Sequence, residues 1–165
     1  MRTTGNARRS AIALAMVIAL VAAAAALGHY MRGEAYVWEN DDGKCLKDRV
    51  EISDGRDQGG FTKVNAFPQR RQHFPDPFPD ADCAVGWQRE LKVRTKLLKR
   101  GTNGWYVCRT TRWKRANSTE LEQRRYWNAP CDDGEYRVRG VVYLRYNGRW
   151  KGGGYTHGES HHLRR

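Results

Sequence analysis

Basic and aromatic residues are interleaved over residues 89–115, and this stretch is the clearest candidate for binding chemistry. It holds ten Lys and Arg residues and a single acid, Glu90. Guanidinium and ammonium groups bind anionic groups, and aromatic rings stack on sugars or bases. The pattern predicts a surface for an anionic polymer, formed by Lys92, Arg94, Lys96, Trp105, Arg109, Arg112, Trp113 and Arg115. The simpler interpretation is a solvated basic face.

A proline-rich stretch, residues 67–82, is a second candidate. Four of the five prolines lie here, each beside a phenylalanine. Proline lacks a backbone donor and favours extended polyproline geometry, so a long loop rather than a strand is predicted. Anchored by Cys83, such a loop would present Arg70 and Arg71 to a trypsin-like protease. The alternative function is therefore a protein-binding module or protease inhibitor, and an ordinary surface loop is the simpler interpretation.

Metal-binding and catalytic patterns are sparse. His157, Glu159 and His161 are spaced by two and would share one face of a strand, where such ligands suit zinc, nickel or copper. A polar C-terminal tail over residues 159–165 accounts for them without a metal, so neither a metal nor a cofactor is predicted. The sequence contains no nucleophile elbow, phosphate-binding glycine loop or dinucleotide fingerprint. We therefore expect a non-catalytic protein.

The cysteines indicate an oxidising compartment. Cys45, Cys83, Cys108 and Cys131 are even in number, and none forms the close pair that a zinc site needs. In an exported domain of this size they predict two disulfides. Three pairings are possible from the sequence. We expect Cys108–Cys131 and Cys45–Cys83, because these bonds would close residues 114–128 and the proline-rich stretch at their bases.

The N-terminal residues 1–28 predict export. Three arginines precede an apolar run, Ala11–Leu27, which is the pattern of a secretory signal. Small residues permit cleavage before His29. The alternative is an uncleaved signal-anchor helix that tethers the domain to the outer face of the plasma membrane. Both place the domain outside the cytoplasm.

The charge of the exported part favours an anionic partner. Without the three N-terminal arginines it carries 27 basic and 18 acidic residues, a net charge of +9. Such a field attracts an anionic cell-surface polymer, and an exported protein is the alternative partner.

Two hairpins are predicted to position the candidate residues. Residues 136–146 alternate between two faces, and Asn147-Gly148 suits a type I′ turn. In the other hairpin, Leu91, Val93, Thr95 and Leu97 alternate with Lys92, Arg94 and Lys96. A turn follows at residues 101–104. The alternation places the cations on the outward face.

The remaining pattern predicts an all-β, disulfide-stapled antiparallel sandwich over residues 29–158. Short extended runs at 35–38, 45–52 and 61–67 are separated by Gly, Asn and Asp turns, and no long amphipathic helix is present. Residues 117–125 are expected to form a turn or two of helix or a mobile loop, because Thr119 and Glu122 have capping-box spacing.

The exported part resembles a group of small exported actinobacterial proteins with an immunoglobulin-like sandwich and two disulfides. The resemblance rests on the signal, the spread of the cysteines and the segment CDDGEYR (131–137) leading into a long strand. It implies the fold and no functional residue. The spacing of true immunoglobulin domains is not reproduced, because Tyr106 and Cys108 follow too soon after Cys83.

Overall fold

The computed structural model describes residues 30–53, 60–127 and 129–164, whose strands form two antiparallel sheets. The predicted signal or anchor over residues 1–28 lies outside the described residues. Among those described, no helix is long and apolar enough to cross a membrane. The strands are β1 (Tyr30–Glu39), β2 (Cys45–Ser53), β3 (Gly60–Gln72), β4 (Ala81–Gly86), β5 (Arg89–Gly101), β6 (Gly104–Thr110), β7 (Lys114–Ser118), β8 (Leu121–Trp127), β9 (Gly134–Tyr146), β10 (Arg149–Thr156) and β11 (His161–Leu163).

Each sheet contains a long strand that pairs with two short strands along the same side. Sheet one has the order β1-β2-β3-β4, and β8 also pairs with β3. Residues 60–66 of β3 pair with β8, and its residues 69–72 pair with β4. Sheet two has the order β10-β9-β5-β6, with β11 beside the start of β9. Residues 89–93 of β5 pair with β7, and residues 96–101 pair with β6.

Both predicted hairpins are confirmed. β9 and β10 are joined by Asn147 and Gly148, whose φ angles of 47° and 73° are those that a type I′ turn requires. β5 and β6 are joined by the turn at residues 101–104. The fold class is therefore an all-β sandwich of two antiparallel sheets, as the alternation predicted.

The core lies between the sheets, and β2, β3, β5 and β9 supply most of it. Its fully buried apolar side chains include Leu46, Val50, Ile52, Val64, Leu91, Val93, Leu97, Val138, Val142 and Leu144. Tyr136 is also fully buried. Its hydroxyl donates to the Asp132 carbonyl at 2.5 Å and accepts from the Cys131 N–H at 3.2 Å. The ring therefore fills the core while its polar end holds the turn before β9.

One acidic side chain is buried within this core. Asp48 lies in the middle of β2 and is 0% exposed. Its Oδ2 accepts a hydrogen bond of 3.3 Å from the Tyr155 N–H, and among the described residues Oδ1 has no hydrogen-bond partner. A Cβ at position 140 would lie 2.3 Å from Oδ1, so Gly140 provides the space for the carboxyl. Burial raises the pKa of Asp48 to about 7.

Both predicted disulfides are confirmed, and each lies within one sheet. Cys45 of β2 is bonded to Cys83 of β4 in sheet one. Cys108 of β6 is bonded to Cys131, which precedes β9 in sheet two. The pairing matches the expectation that each bond closes the chain segment between its cysteines.

The helix or loop predicted for residues 117–125 is wrong. These residues end β7 and form most of β8. Leu121 and Gln123 of β8 are buried, which is the alternation of a strand on one sheet face. The capping-box spacing of Thr119 and Glu122 was outweighed by pairing with β3, a contact that is distant in the sequence.

The predicted long loop at residues 67–82 is also wrong in its extent. β3 continues to Gln72 and β4 begins at Ala81, so the connection is residues 73–80. Pro68 is accommodated because its carbonyl accepts from the Trp87 N–H at 3.2 Å. In an extended strand the N–H and C=O of one residue point to the same side. The donor that proline lacks is therefore directed toward the junction between Gly86, where β4 ends, and Leu121, where β8 begins.

The polar tail predicted at residues 159–165 is partly ordered against the domain. Residues 161–163 form β11, which pairs with the first residues of β9. His161 and Leu163 are buried, at 6% and 2% exposed. The sequence did not indicate this strand, because three residues are too few to show a period.

Candidate anion-binding face

The outward face of sheet two carries a continuous set of cations and aromatic rings, here called the basic face. The alternation of β5 directs Leu91, Val93, Thr95 and Leu97 into the core, so Lys92, Arg94 and Lys96 lie on the other face. The register brings β7, β9 and β10 beside them. The members of the basic face are Lys92, Arg94, Lys96, Arg115, Arg137, Arg139 and Arg145, with the rings of Trp105, Trp113, Tyr143 and Trp150.

Like charges lie directly opposite each other on this face. Lys92 of β5 is paired with Arg115 of β7, and Lys96 is paired with Arg139 of β9. Directly opposed residues on neighbouring strands have Cβ atoms about 5 Å apart, and like charges there are destabilising. The arrangement therefore carries a local electrostatic cost.

Aromatic rings, rather than carboxylates, contact Lys92 and Arg94 on this face. Lys92 Nζ lies 4.3 Å from the ring centroid of Trp150, 4.8 Å from Tyr143 and 5.0 Å from Trp113. The Arg94 guanidinium lies 4.4 Å from the ring centroid of Trp113. Such contacts fix the position of a cation without cancelling its charge.

The electrostatics of Lys92 show the density of positive charge. Burial lowers the pKa of Lys92, and neighbouring guanidinium groups lower it further. These groups belong to Arg115, Arg94 and Arg145, while Glu90 acts in the opposite direction. An approaching anion would relieve this repulsion.

The outward face of sheet one has a different charge balance. There Glu34 lies 3.4 Å from Lys47 and 3.0 Å from Arg49. Lys63 lies 3.1 Å from Glu122. Within the described ranges, by contrast, no cation of the basic face forms a salt bridge. Several cations of sheet one are thus paired with acids, whereas those of the basic face are not.

A buried amide holds the chain segment that leads into the basic face. Gln123 is 5% exposed, and its Oε1 accepts from the hydroxyls of Thr95 at 3.1 Å and Thr111 at 2.6 Å. Its Nε2 donates to the Arg112 carbonyl at 2.9 Å. These bonds fix the connection between β6 and β7, and therefore the backbone beside Trp113.

The eight residues predicted from residues 89–115 do not all share this face. Lys92, Arg94, Lys96, Trp113 and Arg115 lie together on it. Trp105 lies at its far end, 4.3 Å from the Arg137 guanidinium. Arg109 is in register with Leu97, which faces the core, and Arg112 lies in the connection after β6. Among the described residues, neither the Arg109 nor the Arg112 side chain forms a cation–π contact or salt bridge with a member of the basic face.

Sequence reasoning missed the members that β9 and β10 contribute. These are Arg137, Arg139, Tyr143, Arg145 and Trp150. The alternation over residues 136–146 already placed the β9 members on one face. The missing information was that β9 pairs with β5. These strands are far apart in the sequence, and a single sequence does not show which distant strands are neighbours.

Arg70 and Arg71, the alternative site, do not lie in an exposed loop as predicted. Arg70 and Arg71 lie in β3, and Arg70 pairs with Val85 of β4. Arg71 Nε donates to the Asp82 carboxylate at 2.5 Å. Their backbone is therefore part of a ladder rather than an exposed, extended loop.

The weak metal candidates do not converge. Among the described residues, His157, Glu159 and His161 do not bring their ligand atoms within 4.8 Å of one another. His157 Nδ1 instead accepts a hydrogen bond of 3.1 Å from the Glu159 N–H. Glu39 does lie beside Cys45 and Cys83, but their sulfurs are joined in a disulfide.

No family model, curated protein or solved structure matches this chain.

Proposed function

We propose that this protein is a non-catalytic, exported binding protein that engages an anionic cell-surface polymer through the basic face. The observation that carries the proposal is the pair of like-charge contacts, Lys92–Arg115 and Lys96–Arg139. Among the described residues none of these four cations forms a salt bridge, although Glu90 acts on Lys92 and Asp48 acts on Arg139 at longer range. A bound polyanion would supply the missing negative charge and offset their cost.

The proposed location is the extracytoplasmic side of the membrane. Two disulfides fit an oxidising environment. We also propose that residues 1–28 direct export, either as a cleaved signal or as an uncleaved anchor. Kinship with immunoglobulin-like exported proteins is likewise a proposal, and the meander order β1-β2-β3-β4 of sheet one differs from the A-B-E-D order of immunoglobulin constant domains.

The salt dependence of binding tests the proposal. Purified protein should bind heparin and a single-stranded oligonucleotide, with log K falling linearly as log salt rises. Each phosphate contact contributes about 0.7 to that slope for a single strand, so Arg115→Gln with Arg145→Gln should reduce it by about 1.4. Both side chains are exposed, so the fold should be retained.

A matched control distinguishes binding at the basic face from an effect of net charge alone. Arg70→Gln with Arg125→Gln removes the same charge from exposed positions on sheet one. This control should leave the slope unchanged. Equal effects of the two double variants would show that only net charge matters, and salt-independent binding or no binding at low salt would contradict the proposal.

The protease-inhibitor alternative receives no support from the position of its arginines. An inhibitory loop must be open to a protease in extended form. The Arg70-Arg71 bond lies inside β3, beside β4.

A further inference from the structure

The rings of the basic face are in cation–π contact with cations of the same chain. Lys92 contacts three rings, those of Trp113, Tyr143 and Trp150. Trp113 also carries the Arg94 guanidinium at 4.4 Å. A nucleic-acid base stacks on a ring only where the face of that ring is open. These rings therefore serve to hold cations.

The far ends of the basic face show the same arrangement. The Arg137 guanidinium lies 4.3 Å from the ring centroid of Trp105. Trp150 has Arg145 at 5.6 Å and Arg115 at 6.0 Å in addition to Lys92. Every ring of the face thus lies beside at least one positive charge.

The cations form rows at regular intervals along β5 and β9. Alternate residues of a strand are about 6.8 Å apart, which is two residues at about 3.4 Å each. Five successive rows each contain a cation, namely Arg145, Lys92, Arg94, Lys96 and Arg137, and the acid Glu90 lies beside Arg145 at one end. The rows span about 27 Å along the strands. This geometry suits one linear chain that bears anionic groups at intervals and lies along the strands.

From these observations we infer that the basic face recognises a linear polyanion by its backbone charge alone, and that aromatic bases contribute nothing to binding. The inference rests on the proposed function and specifies its ligand class as a base-free polyanion rather than a single-stranded nucleic acid. Stacking by a nucleic acid is the competing possibility that the following experiment tests.

Two oligonucleotides of equal length and charge isolate the contribution of the bases. One is oligothymidylate, and the other carries abasic sites on the same phosphodiester backbone. The two should bind the full-length protein within about twofold of each other at low salt. A base stacked on even one ring would make oligothymidylate about fivefold to about 150-fold tighter, and that result would overturn the inference.

Ring variants provide a second readout. Trp150→Leu should weaken binding of both oligonucleotides by the same factor, because it removes a support of Lys92 rather than a base platform. Trp113→Leu, which loses contacts with Lys92 and Arg94, should do likewise. Tyr36→Leu, an exposed aromatic of sheet one, is the control and should change neither affinity. A loss confined to oligothymidylate in either tryptophan variant would overturn the inference.

The outcomes separate this inference from the proposed function. If neither oligonucleotide binds at low salt, the proposed function fails and the inference fails with it. If both bind with steep salt dependence but oligothymidylate is far tighter, the proposed function stands and only the inference fails.

Discussion

Asp48→Asn should make the protein more stable at neutral pH, and the gain should depend on pH. The carboxyl lies between the sheets against Gly140, where a charge cannot be well hydrated. Burial raises its pKa from 3.8 to about 7, although the Tyr155 N–H and the charge of Arg139 act in the opposite direction. The folded protein therefore binds a proton that the unfolded chain releases.

The direction and size of the pH effect on stability follow from the difference between the folded and unfolded pKa of Asp48. Because the folded pKa is the higher one, the stability contributed by protonated Asp48 is fully present below about pH 4 and is lost as pH rises to about 7. The difference between a pKa of 3.8 and one of about 7, at about 1.36 kcal/mol per pKa unit, lowers the free energy of unfolding by about 4 kcal/mol. Asparagine keeps the shape and can still accept from Tyr155, but it has no proton to lose.

Urea unfolding at several pH values between 4.5 and 9 measures the effect. The free energy of unfolding of Asp48→Asn minus that of the wild type should increase up to about pH 7 and then level off. A difference that is the same at every pH would refute the reasoning. Asp42→Asn is the control, because hydrogen bonding from Lys44 lowers the pKa of Asp42 from its ordinary 3.8. The stability that this lowering contributes is fully present above about pH 4 and is lost only at lower pH, so the difference between Asp42→Asn and the wild type should stay constant from pH 4.5 to 9.

Three other perturbations test the polar contacts of the core and the extent of β3. Gln123→Leu should cost about 1–3 kcal/mol in urea unfolding, because the hydroxyls of Thr95 and Thr111 lose their shared acceptor; an unchanged midpoint would contradict that network. Tyr136→Phe should cost about 1 kcal/mol, and a neutral result would show that the turn before β9 does not need the hydroxyl. Native protein should resist trypsin at Arg71, because the bond is in a paired strand; cleavage as fast as in the urea-unfolded protein, followed by mass spectrometry, would contradict the strand.

The sequence predicted the features that depend on neighbouring residues. Alternation over residues 91–97 and 136–146 located the inward faces of β5 and β9, because side chains of a strand alternate whatever its partners are. Asn147-Gly148 located a turn through its own backbone preferences. The pairing of the cysteines also agreed with the structure, since each bond closes a segment between them.

The sequence did not predict the features that depend on distant pairing. Residues 121–127 form β8 because β3 lies beside them, and Pro68 is tolerated because of the junction that it faces. The same limit applies to the candidate site. Lys92 and Arg94 are recognisable as outward cations, but Tyr143 and Trp150 join them only through the register of β5, β9 and β10.

The paired short strands along one side of each sheet have a consequence for self-association. An exposed strand offers unpaired N–H and C=O groups that another chain can extend, and short strands limit this templating. β4 and β8 share one margin of sheet one, and β6 and β7 share one margin of sheet two, so no uninterrupted strand there exceeds seven residues. Many copies gathered on one polymer would be crowded side by side. These interrupted margins would then oppose the edge-to-edge aggregation that crowding favours.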